Sequence, residues 1–164
     1  MSHRSVSPRR YAVVTLVAAL TASLAAASAL LAGLPVWAMF IGWIAFFTRG
    51  LTLRATFDNL ACVWLGLAIG ALAAASVTAL TPALGLALAL PLVVFVVALG
   101  VVALRGLPAL NNLLAYFLGL VAWFAAHLEP SLEQIAHLGG ASAIGSFAGW
   151  ISHHAPQRLM PARA

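Results

Sequence analysis

The sequence carries very little charge. Lysine is absent, so the eight basic side chains other than histidine are all arginine, and charged residues make up 7% of the 164, against about 25% in a typical soluble protein. Hydrophobic residues account for 64%, and the mean hydropathy is +1.08. This composition predicts a membrane protein with no room for a separate soluble domain. The arginines have no aromatic residues interleaved with them, so nucleic acid is not an expected partner.

Side chains that catalyse reactions or bind metals are also scarce. A single cysteine, Cys62, excludes an internal disulfide and a site built from several thiolates. His153 and His154 are adjacent near the C-terminus, without a third ligand. The carboxylates all lie at predicted membrane edges, at Asp58, Glu129 and Glu133. Because an enzyme needs an activated nucleophile, paired carboxylates or a metal cluster, we expect no enzyme activity, no metal and no cofactor.

One ten-residue pattern occurs twice, at Ala38–Phe47 and at Ala115–Phe124. Both copies read Ala, Met or Tyr, Phe, Ile or Leu, Gly, two apolar residues, Ala, an aromatic residue and Phe. The flanking elements recur in the same order, Gly33-Leu34-Pro35 as Gly106-Leu107-Pro108 and Gly66-x-x-x-Gly70 as Gly145-x-x-x-Gly149. We interpret the chain as two copies of one three-helix membrane unit.

Six apolar stretches predict six transmembrane helices, most of them close to the roughly 20 residues that cross a bilayer. The basic start before the first stretch also fits a signal peptide, but that stretch has a counterpart in the fourth, which favours a retained helix. The polar residues 50–59 are predicted as a connection, with Asp58 or Asn59 capping the third helix. Thr81-Pro82 is predicted as a turn. The predicted spans are 11–31, 36–48, 60–80, 83–104, 109–126 and 135–152.

Charge placement orients these spans. With the N-terminus in the cytoplasm, every arginine falls on the inner side and both glutamates on the outer side, as the positive-inside rule requires. Because each copy has three helices, an odd number, the second copy enters the membrane inverted. The sequence therefore predicts an all-α protein of the bacterial inner membrane, with six transmembrane helices as two inverted three-helix repeats. Its parts are a cytoplasmic N-terminal arm at 1–10, repeat 1 at 11–80, repeat 2 at 81–152 and a cytoplasmic C-terminal tail at 153–164.

Glycines at equivalent places in the two copies predict close helix packing, because small residues four apart let helix backbones approach each other in lipid. The pairs Gly66/Gly70 and Gly145/Gly149 predict either a crossing of the third and sixth helices or a seam between two copies of the chain. A homodimer is the expected oligomer. The glycines assigned to packing are Gly42, Gly66, Gly70, Gly119, Gly145 and Gly149.

Few residues inside the spans could contact a solute. No charged residue is predicted deep in a span, which argues against an ion-coupled carrier. The candidates for lining a permeation path, for which packing or helix capping is the alternative, are Phe40, Trp43, Phe47, Asn111, Asn112, Tyr116 and Trp123. The predicted function is a small uncoupled permease or channel, surrounded by the lipid bilayer, for a neutral or weakly acidic solute. The alternative is a non-transporting membrane scaffold or accessory subunit.

Three runs, Gly33–Ala38, Gly42–Phe47 and Ala115–Leu120, resemble a small family of bacterial inner-membrane proteins, the domain of unknown function family 1097. That resemblance covers nearly the whole chain and implies no substrate or catalytic residue. More loosely, Pro35-x-Trp37-Ala38 followed by the first glycine pair resembles the membrane half of fusaric acid resistance and aromatic acid exporter proteins. Those proteins carry an arginine where this chain has Val63, and the missing arginine argues against an anionic substrate.

Overall fold

The computed structural model describes residues 7–159, which form six α-helices joined by short connections. Three of them, α1, α3 and α4, are long and apolar enough to cross a membrane, and α2 and α5 are shorter apolar helices. The prediction of an all-helical chain with helices of membrane-spanning character is confirmed. The helices are α1 (Pro8–Leu31), α2 (Val36–Thr48), α3 (Leu53–Leu84), α4 (Leu86–Leu104), α5 (Leu113–Ala126) and α6 (Leu132–Leu159).

The third helix begins at Leu53 and not at 60. Thr52 has an extended backbone, and its hydroxyl accepts a hydrogen bond from the Ala55 N–H at 3.1 Å, which caps the helix. The prediction that Asp58 or Asn59 caps this helix is therefore wrong, because both residues lie inside it. The polar residues of 50–59 belong mostly to the first turns of α3, and not to a loop.

Other helix boundaries also differ from the prediction. The predicted turn at Thr81-Pro82 lies inside α3, which ends at Leu84. The next residue, Gly85, has a φ of +72°, a left-handed conformation that glycine adopts readily. The sixth helix continues through His153 to Leu159, so the first part of the predicted tail is helical. The first helix begins at Pro8, so the last residues of the predicted arm, 8–10, are helical too. The rest of the arm and tail, 1–6 and 160–164, lies outside the described residues.

Two helix pairs make the closest contacts, and glycines allow both of them. Where α2 meets α6, a Cβ atom at Gly42 would collide with the carbonyl oxygen of Ser142, and one at Gly145 would collide with that of Met39. The Ser146 hydroxyl also donates a hydrogen bond to the Gly42 carbonyl at 3.0 Å. Backbone therefore lies directly on backbone at this crossing, as small residues permit.

The second close pair is α3 and α5. A Cβ atom at Gly66 would collide with the carbonyl oxygen of Tyr116, and one at Gly119 with that of Val63. Further along, a Cβ atom at Gly70 would lie 2.8 Å from the Cβ atom of Trp123. Both crossings lie inside one chain.

The prediction for the glycine pairs named the wrong packing partners. The pair on α3 faces α5, and the pair on α6 faces α2, where Gly149 lies against Phe46. The third and sixth helices do contact each other, but elsewhere: the Trp64 Nε1–H donates to the Gly139 carbonyl at 3.1 Å. The glycine pairs therefore mark neither a crossing of α3 with α6 nor a face left open for a second copy.

The described arginines and glutamates lie at opposite ends of the helix bundle. At one end, Arg10 of α1 shares a cavity with Phe47 of α2 and His153 of α6. Arg49 lies at the same end, after the last residue of α2. At the other end, Leu30 of α1 and His137 of α6 share a cavity, and Glu133 lies one turn before His137. We call the first of these the arginine end.

Candidate functional site

The Asn112 side chain joins three helices at the arginine end. It is 6% exposed, and its Nδ2 group donates to the Asn59 Oδ1 atom at 2.8 Å and to the Thr48 hydroxyl at 2.6 Å. Its Oδ1 atom accepts from the Ala115 N–H at 3.2 Å and so caps α5. One amide therefore ties the start of α5 to the end of α2 and to the second turn of α3.

A second layer of hydrogen bonds surrounds this amide. The Asn59 Nδ2 group donates to the Arg49 carbonyl at 2.8 Å. The Arg49 guanidinium donates to the carbonyl oxygens of Pro108 and Ala109, both at 3.3 Å, and lies 3.7 Å from the Asp58 carboxylate. Asp58 therefore pairs with Arg49, which precedes α3, and not with Arg54, four residues before it in the same helix. Main chain and side chains together close this end of the α3–α5 contact.

Tyr116 lies one turn further along α5, on the same face as Asn112. Its side chain is fully buried, and its hydroxyl is the one buried side-chain nitrogen or oxygen atom in residues 7–159 that makes no hydrogen bond of ordinary geometry. Cys62 belongs to the same buried cluster, and its thiol is a weak hydrogen-bond partner beside this hydroxyl. An unpaired buried hydroxyl costs about 1–3 kcal/mol, and a phenylalanine would fill the space without that cost. Within the described residues, this hydroxyl therefore has only the weak contact with the Cys62 thiol in this conformation.

The sequence matches the family model described as "Protein of unknown function (DUF1097)" over residues 14–157. The chain belongs to the DUF1097 family. No curated protein matches it, and neither does any solved structure. The family resemblance drawn from the sequence is confirmed, whereas these comparisons do not show the looser likeness to aromatic acid exporters. Membership in the DUF1097 family gives no substrate, so function in this protein is argued from the site.

The structure brings together only some of the predicted path residues of this DUF1097 protein. Asn112, Tyr116 and Trp123 all face α3, and Trp123 is 1% exposed against Gly70. Asn111, their neighbour, is exposed.

The aromatic residues of α2 do not join them. Phe40 and Phe47 are 42% and 47% exposed on the outside of the bundle. Trp43 lies with Phe47 in the cavity near Arg10. A single path lined by both duplicated helices is therefore absent from this conformation. The polar path candidates that are buried, Asn112 and Tyr116, lie at the contact between α3 and α5.

Two members of the site were not identified from the sequence. Asn59 was interpreted as a helix cap, and Thr48 only as the last residue of a span. Asn59 could have been recognised from its place at the start of the long apolar part of the stretch, one turn before Cys62, because a buried amide requires a hydrogen-bond partner. Its partner Asn112 is 53 residues away, which no local pattern reveals. Residues 7–159 contain no group of three His, Cys, Asp or Glu side chains that could hold a metal ion.

Proposed function

We propose that this DUF1097 protein crosses the membrane six times as two inverted three-helix repeats, with the arginine end in the cytoplasm. The repeat pairs Gly42 with Gly119 and Gly145 with Gly66. The two glycines of a pair also contact equivalent backbone. Gly145 lies against the Met39 carbonyl and Gly66 against the Tyr116 carbonyl. Met39 and Tyr116 are both the second residue of the duplicated pattern. These matched contacts support the repeat, and the odd number of helices in each copy makes the second copy an inverted one.

We propose further that the protein is a small uncoupled permease or channel for a neutral or weakly acidic solute. Its path follows the contact between α3 and α5, which is closed in this conformation. The observation behind this proposal is the Tyr116 hydroxyl, which is fully buried and has no neighbour stronger than the Cys62 thiol to hydrogen-bond with. A solute able to accept or donate a hydrogen bond would supply the missing partner.

The Tyr116 phenol is not a requirement of the fold. In the equivalent contact between α2 and α6, Met39 occupies the place of Tyr116, and Leu138 and Pro35 stand in place of Asn59 and Asn112. Both contacts use the same glycine packing, so a phenol is not needed to form it. Polar groups that the fold does not need are candidates for contact with a solute.

The charges near the path favour an uncoupled mechanism. The nearest ionised groups are Arg49 and Asp58, which pair with each other at the arginine end. The groups further inside, Tyr116 and Cys62, are neutral side chains at physiological pH. A coupled carrier usually keeps an ionisable relay inside the membrane. We therefore propose passive permeation, with no catalytic step and no cofactor.

The test compares the wild type with Tyr116→Phe in liposomes. The solutes are urea, glycerol, ammonium, short-chain acids and benzoate-like aromatic acids. We expect one solute class to enter faster than into empty liposomes. Tyr116→Phe should lower that rate about fivefold, the effect of losing a hydrogen bond worth about 1 kcal/mol, while thermal stability in detergent stays the same or rises. Met39→Leu, at the equivalent position of the other contact, is the matched control and should keep the wild-type rate. Equal rates in wild type and Tyr116→Phe would refute the proposed path.

A non-transporting scaffold or accessory subunit is the second candidate, because the centre of the bundle is filled. Val63, Leu67, Leu120 and Trp123 form one buried cluster around Tyr116. A scaffold predicts that none of the solutes enters faster than into empty liposomes, for the wild type or for either variant. Under this candidate, Tyr116→Phe changes stability alone.

A further inference from the structure

A cavity of about 370 Å³ lies at the arginine end, between the first turns of α1, the end of α2 and the last turns of α6. Its polar part contains Arg10, His153 and Gln157, and the Gln157 Nε2 atom lies 3.1 Å from the His153 Nε2 atom. Its apolar part contains Val14 and Phe47. The cavity therefore has a basic, hydrogen-bonding end and an apolar side.

The charge in this cavity is positive and uncompensated by its lining. None of the described residues that line it is acidic. Burial and the neighbouring His154 lower the pKa of His153, which leaves the imidazole neutral and able to donate one N–H. Arg10 supplies the fixed positive charge, because a guanidinium stays protonated under all ordinary conditions.

A second cavity, of about 510 Å³, occupies the equivalent place in the other repeat, between α4, α5 and the end of α3. Phe124 lines it where Phe47 lines the first, and these are the last residues of the duplicated pattern. The first helix of each repeat, α1 or α4, contributes residues four apart to its cavity. These are Arg10, Val14 and Ala18 in the first cavity, and Leu90, Val94 and Ala98 in the second.

The lining residues of the two cavities can be compared position by position, which shows which residue types both repeats share and which occur in one only. Valine and alanine recur at the second and third positions, as expected for surfaces that pack against apolar chains. Only the first position differs in kind, arginine in one cavity and leucine in the other. The α6 side differs in the same direction, because Ser152 stands where the second cavity has Ala73. Charge is therefore specific to the cavity at the arginine end.

We infer that this cavity binds an anionic phospholipid, with the headgroup phosphate on Arg10, His153 and Gln157 and an acyl chain along Val14 and Phe47. The inference rests on the proposed six-span arrangement, which puts the arginine end at the membrane surface. Phosphate groups lie at that level, and basic pockets between transmembrane helices bind lipid headgroups. A guanidinium can hold a phosphate through two parallel hydrogen bonds, and the apolar side matches a chain attached to it.

The experiment measures thermal unfolding of the purified full-length protein in a neutral detergent as lipid is added. Phosphatidylglycerol should raise the unfolding temperature in a saturable manner, and phosphatidylcholine should raise it less. Arg10→Gln should weaken the apparent affinity for phosphatidylglycerol at least fivefold without changing the unfolding temperature in the absence of lipid. Leu90→Gln places the same amide in the equivalent cavity and should leave the response unchanged.

Three results would overturn the inference. Equal stabilisation by the two lipids would mean that the headgroup charge is not recognised, and an unchanged response in Arg10→Gln would mean that the site lies elsewhere. If inorganic phosphate stabilised the protein as well as phosphatidylglycerol does, the cavity would be a site for a soluble anion. If Arg10→Gln unfolds early without lipid, His153→Leu takes its place in the same titration; it removes one N–H donor and should also weaken the affinity for phosphatidylglycerol. None of these readouts requires transport, so failure here and failure of the proposed permeation are distinguishable.

Discussion

Asn112 is the residue on which the arginine end of the bundle depends most. Replacing it with leucine removes the cap of α5 and leaves the Asn59 carbonyl oxygen and the Thr48 hydroxyl without their donor. We expect Asn112→Leu to lower the free energy of unfolding by about 2–4 kcal/mol. Unfolding in mixed micelles by a denaturing detergent would measure it.

Two further variants show whether Asn112 does more than cap a helix. Asn112→Asp keeps the capping acceptor but loses both donated hydrogen bonds, so it should remain destabilised. Asn111→Leu, at the exposed neighbour, should change stability by no more than about 0.5 kcal/mol. If Asn112→Asp were as stable as the wild type, the bonds to α2 and α3 would contribute nothing.

The limits of sequence reasoning at this scale are visible in the same residues. Two adjacent asparagines before an apolar run predict a cap, and Asn112 is one. Which of the two is buried depends on the other helices: Asn112 is 6% exposed, whereas Asn111 is exposed. Likewise, the sequence predicted Tyr116 as one of the residues that could line a path, but it did not predict that this hydroxyl is buried with only the Cys62 thiol beside it.

At the scale of helices, the two glycine crossings determine how the chain packs. A methyl group at Gly42 would meet the Ser142 backbone, which cannot move away as a side chain could. Gly42→Ala should therefore lower the free energy of unfolding by about 1–3 kcal/mol. The same micelle unfolding assay measures this.

Gly100 provides the control, because it too lies inside a helix but has no atom within 4 Å of an added Cβ. Gly100→Ala should be neutral or stabilising by up to about 1 kcal/mol, since alanine favours the helix more than glycine does. If Gly42→Ala behaved like Gly100→Ala, close backbone contact would not hold α2 against α6.

The local sequence pattern predicted the apolar helices and their approximate positions, but it did not predict several of the helix ends. Val36–Thr48 is the predicted second span unchanged, because Pro35 and Gly50 flank a continuous apolar run. The start of α3 was misplaced because Arg54 and Asp58 resemble a loop in composition. Both are compatible with the first turns of a helix once Thr52 caps it.

At the scale of the molecule, the proposed topology predicts which loops face which side. After the native thiol is removed by Cys62→Ala, single cysteines at Glu129→Cys and Gly106→Cys report the two sides. A membrane-impermeant maleimide should label Glu129→Cys in cells whose outer membrane is permeabilised, and Gly106→Cys only after the inner membrane is opened. The physical reason is the positive-inside rule acting on the arginines. Labelling of both positions before the inner membrane is opened would contradict the six-span inverted arrangement.

The sequence by itself determined the class of this protein. Low charge, long apolar runs and a duplicated ten-residue pattern are properties of neighbouring residues, and so they predict helices of membrane character. Short runs of residues likewise carried the resemblance to the DUF1097 family, which the family model confirms. Only the tertiary structure decided that α2 packs on α6 and α5 on α3, that Asn59 meets Asn112, and that Arg10 and His153 line one cavity. These arrangements bring together residues 53 to more than 100 positions apart. They depend on how whole helices fit together, which no local pattern specifies.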